Sequence, residues 1–504
     1  MSVSIAIATP AGTPGAAPVR YATFDGQFIG GQWRAGVGDG ALADHDPFSG
    51  EVVAEIALAG VADVDAAYAS AAGAQGAWAA TSPVERAALL MRVAAIIAAR
   101  RNEIVDWLVH EAGSTRIKAQ AEWQSSHYAC VEAARYPLQV NGRILPSYEA
   151  GKENRVYRRA LGVVAVISPW NFPLYLSMRT IAPAIALGNA VVVKPAPDTP
   201  VTGGLLIAKL FEEAGVPSGV LNVVVGQDDV IGDAVTTHPT PKLISFTGST
   251  RVGKQIGARA MQSSMLKRVA LELGGNAPFV VLDDADIEQA VHAAVVGRFL
   301  HCGQICMSTN RIIVDAKLYD AFVDRFVERV RRLRVGDPDD PATVIGPLIN
   351  RKQLDGLIAR IAEAKQAGTR LAIGGEAQGL VLPPHVFVDV ANASALAQSE
   401  LFGPVAPIIK ARDEAQALEF ANATDYGLSS AVFSRDEGRA LAFAQGIDAG
   451  MTHINDISVN DDPNTMFGGE KNSGLGRFGG EWIIAELTAD HWISVQHSPR
   501  QYPF

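Results

Sequence analysis

The chain has few cysteines: only Cys130, Cys302 and Cys306 occur among its 504 residues. Three cysteines at irregular spacing exclude a disulfide framework, and the pair Cys302/Cys306 lacks both the spacing and the partner ligands of a zinc site. We therefore expect a protein of a reducing compartment, and no metal site is predicted.

The chain also lacks an excess of basic residues. It has 43 Lys and Arg residues and 53 Asp and Glu residues, which gives a formal net charge of −10. This charge, without any run of five like charges, argues against nucleic acid or an anionic membrane as a partner. No stretch approaches the roughly 18 continuous apolar residues of a membrane span, and residues 1–20 lack the charged start and apolar core of a signal peptide. The expectation is a soluble cytoplasmic protein in which residues 1–20 form a flexible tail.

The remaining composition, with 48% hydrophobic residues, is typical of a globular protein, and the length suggests two or three domains. Residues 60–135 are predicted to be mainly helical. Ser82 is suited to cap a helix that starts at Pro83, and Glu85 can complete a capping box. The Ala-rich segment 61–79 predicts a helix before it.

From residue 161 onward, short β-branched runs alternate with stretches of helical pattern. The runs are Val163–Ile167, Ala190–Val193, Leu221–Val225 and Leu243–Phe246. Few of them alternate polar with apolar residues, which predicts an α/β fold with strands buried on both faces of a doubly wound parallel sheet. Ligands bind beyond the carboxyl ends of such strands. The residues found there are Trp170, Asn171, Lys194, Gly226, Gly248 and Ser249.

A second α/β series follows. Its predicted elements are strands at Pro278–Leu282, Ile312–Val314 and Val405–Ile409 and a long helix over Tyr319–Arg334. The segment 139–160 and a late strand at His491–Gln496 fit neither series.

Cys306 and Glu272 could each perform one step of an acyl-transfer reaction. Cys306 follows Gly303-Gln304-Ile305, and Glu272 is flanked by Leu271 and by Leu273-Gly274-Gly275. A cysteine can attack a carbonyl carbon, and a carboxylate kept partly protonated by burial can activate water. From the residues alone, Cys306 could also be a small buried hydrophobic residue and Glu272 a structural carboxylate.

Seven motifs together resemble the aldehyde dehydrogenase superfamily, from about residue 25 to the end. They are Pro169-Trp170-Asn171-Phe172-Pro173, Lys194-Pro195, Phe246-Thr247-Gly248-Ser249-Thr250, Glu272-Leu273-Gly274-Gly275, Gly303-Gln304-Ile305-Cys306, Glu400-Leu401-Phe402-Gly403-Pro404 and Phe467-Gly468-Gly469. Their order and spacing fit that family. Within it, the segments Lys194–Pro200 and Phe467–Arg477 most resemble bacterial aromatic aldehyde dehydrogenases of the benzaldehyde, vanillin and salicylaldehyde type.

The resemblance implies the aldehyde dehydrogenase fold, with two doubly wound parallel-sheet domains and a small β oligomerisation element. The dinucleotide-binding domain is expected in residues 21–138 and 161–272, the catalytic domain in 273–480, and the oligomerisation element in 139–160 and 481–504. A protruding hairpin in the last element would pair with another subunit to give a dimer or a tetramer.

The resemblance also implies the catalytic residues. Cys306 is the expected nucleophile, which forms a thiohemiacetal and then a thioester with an aldehyde. The Asn171 amide is expected to hold the oxyanion, and Glu272 is the expected general base for hydrolysis of the thioester. The expected reaction is NAD(P)⁺-dependent oxidation of an aldehyde, of aromatic type, to the carboxylic acid.

The cofactor contacts follow from the same resemblance. No Gly-x-Gly-x-x-Gly follows a predicted strand, so the usual dinucleotide fingerprint is absent, and this family does not use it. The residues expected to hold NAD⁺ or NADP⁺ are Trp170, Lys194, Gly226, Gly248, Ser249, Glu400 and Phe402. Lys194 corresponds to the residue that reaches the adenosine ribose. NAD-preferring members commonly carry a glutamate three positions later, where this chain has Pro197. Loss of that carboxylate removes a repulsion against a 2′-phosphate, so acceptance of NADP⁺ is predicted, although Asp198 could restore part of the repulsion.

The residues expected to line the substrate tunnel are Phe172, Tyr175, Ile305, Met307 and Phe467. Apolar and aromatic walls suit an aromatic or medium aliphatic aldehyde, but the same residues could be plain core.

Thr180 stands where many members carry a lysine, and Arg179 is expected to make a structural ion pair rather than to replace that lysine. His301 and Cys302 are not expected to take part in catalysis.

Two functions of other classes stay open: a cofactor-independent thiol esterase and a catalytically idle structural homologue. The first leaves Lys194 and Glu400 without a purpose, and the second is at odds with Cys306 and Glu272 occurring together. A variant that transfers the acyl group to CoA is disfavoured, because such members usually lack the glutamate found here at 272.

Overall fold

The computed structural model describes residues 18–504. Of the predicted flexible tail, residues 1–17 lie outside this range.

The helices of the described chain are numbered in sequence order. They are α1 Val61–Ala80, α2 Pro83–Ala99, α3 Arg101–Ala112, α4 Arg116–Ala133, α5 Pro173–Ala186, α6 Leu206–Glu213, α7 Asp228–Thr237, α8 Thr250–Gln262, α9 Ile287–Phe299, α10 Tyr319–Val330, α11 Arg351–Gln366, α12 Ala395–Gln398, α13 Glu414–Asn422, α14 Glu437–Gln445 and α15 Trp482–Leu487. Short 3₁₀ turns occupy Tyr136–Leu138 and Leu300–Gly303, and a π-helical turn occupies Val201–Leu205.

The strands are numbered in the same way. They are β1 Gln27–Ile29, β2 Gln32–Arg34, β3 Ala41–His45, β4 Val52–Ala57, β5 Arg143–Leu145, β6 Lys152–Ala160, β7 Val163–Ile167, β8 Ala190–Lys194, β9 Leu221–Val223, β10 Leu243–Thr247, β11 Arg268–Glu272, β12 Ala277–Val281, β13 Thr309–Asp315, β14 Arg370–Ile373, β15 His385–Val388, β16 Val405–Ala411, β17 Tyr426–Gly427, β18 Ser429–Phe433, β19 Met451–Ile454, β20 Glu470–Lys471, β21 Gly474–Leu475 and β22 Thr488–Gln496.

The first sheet contains five parallel strands in the order β9-β8-β7-β10-β11. At one edge β1 pairs antiparallel with β9 and β2 pairs antiparallel with β1, and at the other edge β21 pairs antiparallel with β11. Alternate residues of its strands pack into different cores: Val191 and Val193 face one hydrophobic cluster, and Ala190 and Val192 face another. The uninterrupted apolar runs therefore arise because both faces of the sheet are covered, which confirms the predicted α/β architecture.

The second sheet has the order β14-β15-β16-β13-β12-β18-β19, in which only β14 is antiparallel. Its core is built from buried residues between Phe279 and Ile447. Two smaller antiparallel pairs are formed by β3 with β4 and by β17 with β20.

A third sheet, β5-β6-β22, contains the segments that fit neither predicted series. Strands β6 and β22 pair antiparallel along nine residues each, from Ala160 with Thr488 to Lys152 with Gln496.

Local signals located element starts better than element ends. The helix α2 begins at Pro83 as predicted, with a capping box between Ser82 and Glu85. The prediction of a helix over Tyr319–Arg334 was wrong at its end, because α10 stops at Val330. Beyond it the chain tightens into i→i+3 hydrogen bonds, such as Leu333 N–H to the Val330 oxygen at 3.1 Å.

Candidate active site

Residues of the first sheet meet at the carboxyl edge of its strands. Strand β7 leads into Trp170-Asn171, β10 leads into Gly248-Ser249, and β11 ends at Glu272. These strands pair in parallel register, so their carboxyl ends lie along one edge, where α/β sheets bind ligands.

A cavity of about 250 Å³ opens at this edge and is closed on its other side by segments that flank the second sheet. It brings together eight of the residues predicted from the sequence: Trp170, Asn171, Gly248, Ser249, Glu272, Cys306, Glu400 and Phe402. Trp170 and Phe402 pack edge to face across it, with ring centroids 5.3 Å apart.

The loop that carries Cys306 is held by the buried Arg298. One guanidinium nitrogen of Arg298 donates to the Thr309 carbonyl at 3.0 Å, and the other donates to the carbonyls of Gly303 at 3.1 Å and Gly403 at 2.6 Å. Arg298 thereby ties the loop before Cys306 to the segment that carries Phe402. Arg298 was not predicted from the sequence, since a lone arginine at the end of a helix gives no local signal of this role.

Gly274 and Gly275 allow the segment after Glu272 to lie close to Glu400 and to the cysteine loop. A Cβ atom on Gly275 would lie 2.1 Å from the backbone oxygen of Cys306, and a Cβ atom on Gly274 would lie 2.5 Å from Glu400 Oε2. The Gly275 N–H also donates to Glu400 Oε1 at 2.8 Å. The Gly-Gly pair therefore brings the segment after Glu272 into direct backbone contact with both the cysteine loop and Glu400.

Glu272 is 2% exposed, and neither of its carboxylate oxygens has a hydrogen-bond partner among residues 18–504. Burial raises the pKa of Glu272 to about 8, with Arg179 opposing the shift and Asp461 adding to it. Buried carboxylates are normally paired, so this one is suited to proton transfer near neutral pH rather than to a structural contact.

Cys306 is partly exposed and reaches the cavity. Burial raises the pKa of its thiol to about 12, and the carboxylate of Glu400 adds to the shift, while Arg179 opposes it. Burial likewise raises the pKa of Glu400 to about 7, against the Gly275 N–H that favours its ionised form. The thiol is therefore protonated at neutral pH, and its proton must leave when the sulfur attacks.

The Asn171 side chain is buried and donates from Nδ2 to the Gln304 carbonyl at 2.9 Å. Because a side-chain amide has two N–H donors, this bond fixes the amide beside the cysteine loop and leaves a second donor.

The structure keeps the remaining predicted residues away from the cavity lining. Lys194 lies at the end of β8 with its ammonium on Asp228, and Gly226 packs against Ile231. Ile305, Met307 and Phe467 are buried in the first hydrophobic cluster. Phe172 lies under the Lys118 ammonium, 4.3 Å from the ring centroid. Tyr175 lines a second, smaller cavity with Arg179.

Arg179 makes the ion pair that the sequence analysis favoured, with Asp461 at 3.1 Å. Its guanidinium lies 4.1 Å from the Phe467 ring centroid. Thr180 is buried and hydrogen-bonds the Ser245 hydroxyl at 3.2 Å. Thr180 therefore lies in the core.

His301 and Cys302 are buried, as expected for residues without a catalytic role. The His301 ring packs edge to face on Phe172 at 5.7 Å, and burial lowers the pKa of its imidazole well below the usual value. The thiol of Cys302 donates to the Gly346 carbonyl at 3.3 Å.

One face of α11 also lines the cavity and was not predicted. Its residues recur at helical spacing: Gln353, Gly356, Leu357 and Arg360. Arg360 donates to the backbone oxygen of Glu400. Gln353, Gly356 and Arg360 are not apolar, so hydrophobic periodicity does not mark this face, and the sequence offers no local signal for it.

Among residues 18–504, no helix is both long and apolar enough to cross a membrane. No group of three His, Cys, Asp or Glu residues is placed there to hold a metal ion.

The chain is similar to known proteins over most of its length. The aldehyde dehydrogenase family profile matches residues 33–493. A vanillin dehydrogenase of Corynebacterium glutamicum is 54% identical over 482 residues, which cover 95% of this chain and 100% of that protein. The crystal structure of a NAD-dependent benzaldehyde dehydrogenase from Corynebacterium glutamicum is 51% identical with a TM-score of 0.88, over 95% of this chain and 98% of that one. A salicylaldehyde dehydrogenase from Pseudomonas putida G7, complexed with salicylaldehyde, is 38% identical with a TM-score of 0.92, over 95% of this chain and 99% of that one. The predicted resemblance and fold are confirmed, and the chain belongs to the aldehyde dehydrogenase family.

Proposed function

We propose that the protein oxidises an aromatic aldehyde to its carboxylic acid with NAD(P)⁺, through a thioester on Cys306 that is hydrolysed with Glu272 as general base. The observation that carries this proposal is the meeting of Cys306, Glu272 and Asn171 in one cavity, with the Glu272 carboxylate buried and without a partner.

In the proposed acylation step, the sulfur of Cys306 attacks the aldehyde carbon, and the thiol proton passes to ionised Glu272, which releases it to water before the hydrolysis step. Negative charge develops on the aldehyde oxygen, and the second N–H of Asn171 and the backbone N–H of Cys306 stabilise it. One such donor typically contributes about 2.7–4 kcal/mol in the transition state. When bound, the nicotinamide ring supplies the hydride acceptor that turns the thiohemiacetal into a thioester.

In the proposed hydrolysis step, ionised Glu272 removes a proton from water, and the resulting hydroxide attacks the thioester carbon. The carbon–sulfur bond breaks, the carboxylic acid leaves, and Cys306 recovers its proton. A base with a pKa of about 8 is matched to this task near neutral pH.

The residues beside the thiol fit a nicotinamide dinucleotide. Glu400 offers a carboxylate acceptor for ribose hydroxyls, and Trp170 and Phe402 offer aromatic surface. Gly248 and Ser249 stand at the N-terminus of α8, where backbone N–H groups and the helix dipole favour phosphate. Lys194, at the end of β8, is proposed to reach the adenosine ribose.

An aromatic substrate is supported by the three relatives named above, which are a vanillin, a benzaldehyde and a salicylaldehyde dehydrogenase. The residues proposed for the tunnel provide aromatic and apolar side chains in one hydrophobic cluster, against which Cys306 also packs: Phe172, Tyr175, Ile305, Met307 and Phe467.

The activity is tested by following reduced nicotinamide during turnover of benzaldehyde, vanillin, salicylaldehyde and hexanal, with NAD⁺ or NADP⁺ and with or without CoA. We expect CoA-independent reduction that is fastest with an aromatic aldehyde. Ester hydrolysis without aldehyde oxidation would support the thiol esterase instead, and neither activity would support the idle homologue. Strict dependence on CoA would contradict Glu272 as the base for hydrolysis.

We also propose the domain assignment given by the resemblance: 21–138 with 161–272 for the dinucleotide, 273–480 for catalysis, and 139–160 with 481–504 for self-association. The exposed apolar residues of the third sheet support the last part: Ile144, Leu145, Tyr157, Trp492 and Ile493. Light scattering is expected to give a dimer or tetramer, and charged substitutions at Ile144 and Trp492 are expected to reduce its mass. A monomeric parent protein would contradict this part of the proposal.

The three free cysteines are suited to a reducing compartment, so we propose a cytoplasmic location. Cell fractionation tests it, and recovery outside the cytoplasm would contradict it.

A further inference from the structure

The ammonium of Lys194 is covered by a carboxylate. Lys194 ends β8 with its side chain 2% exposed, and its Nζ forms an ion pair with Asp228. The second contact of Nζ is the carbonyl of Pro195 at 3.4 Å. A buried lysine whose charge is already paired offers no free cation to an incoming anion.

Asp228 is the first residue of α7, and its side chain is 77% exposed. A carboxylate is stabilised at a helix N-terminus, while its exposure allows the side chain to rotate away from Lys194 into water. The next residue, Asp229, is also exposed in the first turn of α7. Within residues 18–504 it makes no ion pair, which provides a matched comparison.

A second carboxylate lies within electrostatic range of the first. Asp198 accepts a hydrogen bond from Asn350 Nδ2 at 3.0 Å, and Asn350 caps α11 by accepting from the Gln353 N–H at 3.0 Å. Burial raises the pKa of Asp198, Asn350 lowers it, and Asp228 raises it further. Asp228, which pairs with Lys194, therefore has a second acidic group within electrostatic range, although Pro197 stands where NAD-preferring family members carry a glutamate.

We propose that Asp228 is the residue that discriminates between NAD⁺ and NADP⁺, an inference that rests on the proposed function of Lys194 at the adenosine ribose. The Asp228 carboxylate can accept a hydrogen bond from a 2′-hydroxyl, but it repels a 2′-phosphate and occupies the lysine that the phosphate needs. NADP⁺ binds only when Asp228 turns away, so NAD⁺ is the tighter ligand and Pro197 does not by itself confer preference for NADP⁺.

The test is titration calorimetry of the full-length protein, without aldehyde, with NAD⁺, NADP⁺ and the fragment adenosine 2′,5′-bisphosphate. In Asp228→Asn, the Kd for NADP⁺ and for the fragment is expected to fall about tenfold, since removing one opposing charge near the surface is worth about that factor. The Kd for NAD⁺ is expected to change less than about threefold. Asp229→Asn carries the same change of charge one residue away and is expected to leave all three Kd values unchanged.

Two outcomes overturn the proposal in different ways. If Lys194→Met weakens binding of both dinucleotides but Asp228→Asn leaves the ratio of their Kd values as in the parent, Lys194 is placed correctly and Asp228 does not discriminate. If Lys194→Met changes neither Kd, the placement of Lys194 at the ribose is wrong, and the role of Asp228 falls with it. Equal effects of Asp228→Asn and Asp229→Asn would reduce the effect to general surface charge and also contradict the proposal.

Discussion

The catalytic end and the adenosine end of the proposed site differ in whether their buried ionisable side chains have partners. At the catalytic end, Glu272 is 2% exposed without a hydrogen-bond partner, and burial raises its pKa. At the adenosine end, Lys194 is paired with Asp228, and Asp198 is bonded to Asn350. The catalytic end leaves a polar group unsatisfied at a cost in stability, whereas the adenosine end satisfies its charges before any ligand arrives.

This difference indicates where each property of the enzyme resides. A buried carboxylate without a partner is stabilised when it accepts a proton, so the catalytic end is suited to proton transfer. The exposed carboxylate of Asp228 can exchange its partner at little cost, so the adenosine end is suited to ligand selection. Substitutions at the catalytic end should therefore change rates strongly, and those at the adenosine end should change Kd values modestly.

A large effect at the catalytic end is expected for Asn171→Ala. Loss of one oxyanion donor should lower kcat about 10²–10³-fold with little change in KM. Thermal unfolding serves as the control, because loss of the bond to the Gln304 carbonyl should cost only about 1 kcal/mol. A variant that retains more than about a third of the parent kcat would exclude Asn171 from the oxyanion site.

A comparable but smaller loss is expected for Gly275→Ala. The added Cβ would lie 2.1 Å from the Cys306 oxygen, and displacing a nucleophile by about 1 Å can cost about 10²-fold in rate. Gly257→Ala, inside α8, is the matched control. Its Cβ would lie 3.8 Å from Leu271 Cδ1, which is an ordinary van der Waals contact. The two variants should therefore differ in kcat, and equal activities would argue against close packing of the cysteine loop on the Gly-Gly pair.

The pH dependence of thioester hydrolysis should follow Glu272. Its folded pKa is raised to about 8, and the base must be ionised, so the rate should rise about tenfold per pH unit below that value and level off above it. The rate of acyl-enzyme hydrolysis after reaction with an activated ester, without dinucleotide, isolates this step. A rate that is flat between pH 5 and pH 8, as an ordinary exposed glutamate would give, would contradict the raised pKa.

The smallest effect is expected at Asp198. Because its carboxylate oxygen accepts from Asn350, Asp198→Asn can keep this bond while losing the charge. The Kd for NADP⁺ should fall by less than about threefold, which is smaller than the change expected for Asp228→Asn. A larger effect than that of Asp228→Asn, measured by the same calorimetry, would reverse the assignment of the discriminating residue.

The sequence was sufficient for the parts of this account that depend on local chemistry. The start of α2 followed from Ser82, Pro83 and Glu85 because capping involves residues three apart. The buried strands β7 and β8 followed from their β-branched runs, and the cluster around Cys306 followed from motifs that the family shares.

The parts that could not be predicted depend on contacts between distant segments. Arg298 joins carbonyls at 303, 309 and 403, and Asp228 reaches Lys194 across 34 residues. No local pattern reports such pairs. Pro197 therefore predicted the loss of a repulsion against a 2′-phosphate, whereas the Asp228 carboxylate, which comes from another helix, could not be predicted.

The central claim is that Cys306 becomes acylated and that Glu272 releases the acyl group. The most direct test mixes Glu272→Gln with benzaldehyde and NAD⁺, quenches the reaction in acid, and maps the acyl mass by mass spectrometry. We predict a benzoyl group on the peptide that contains Cys306, with turnover lowered about 10²–10⁴-fold, and no adduct in the double variant that also carries Cys306→Ala. Benzoate formed at the parent rate, or an acyl group on a different residue, would contradict the account.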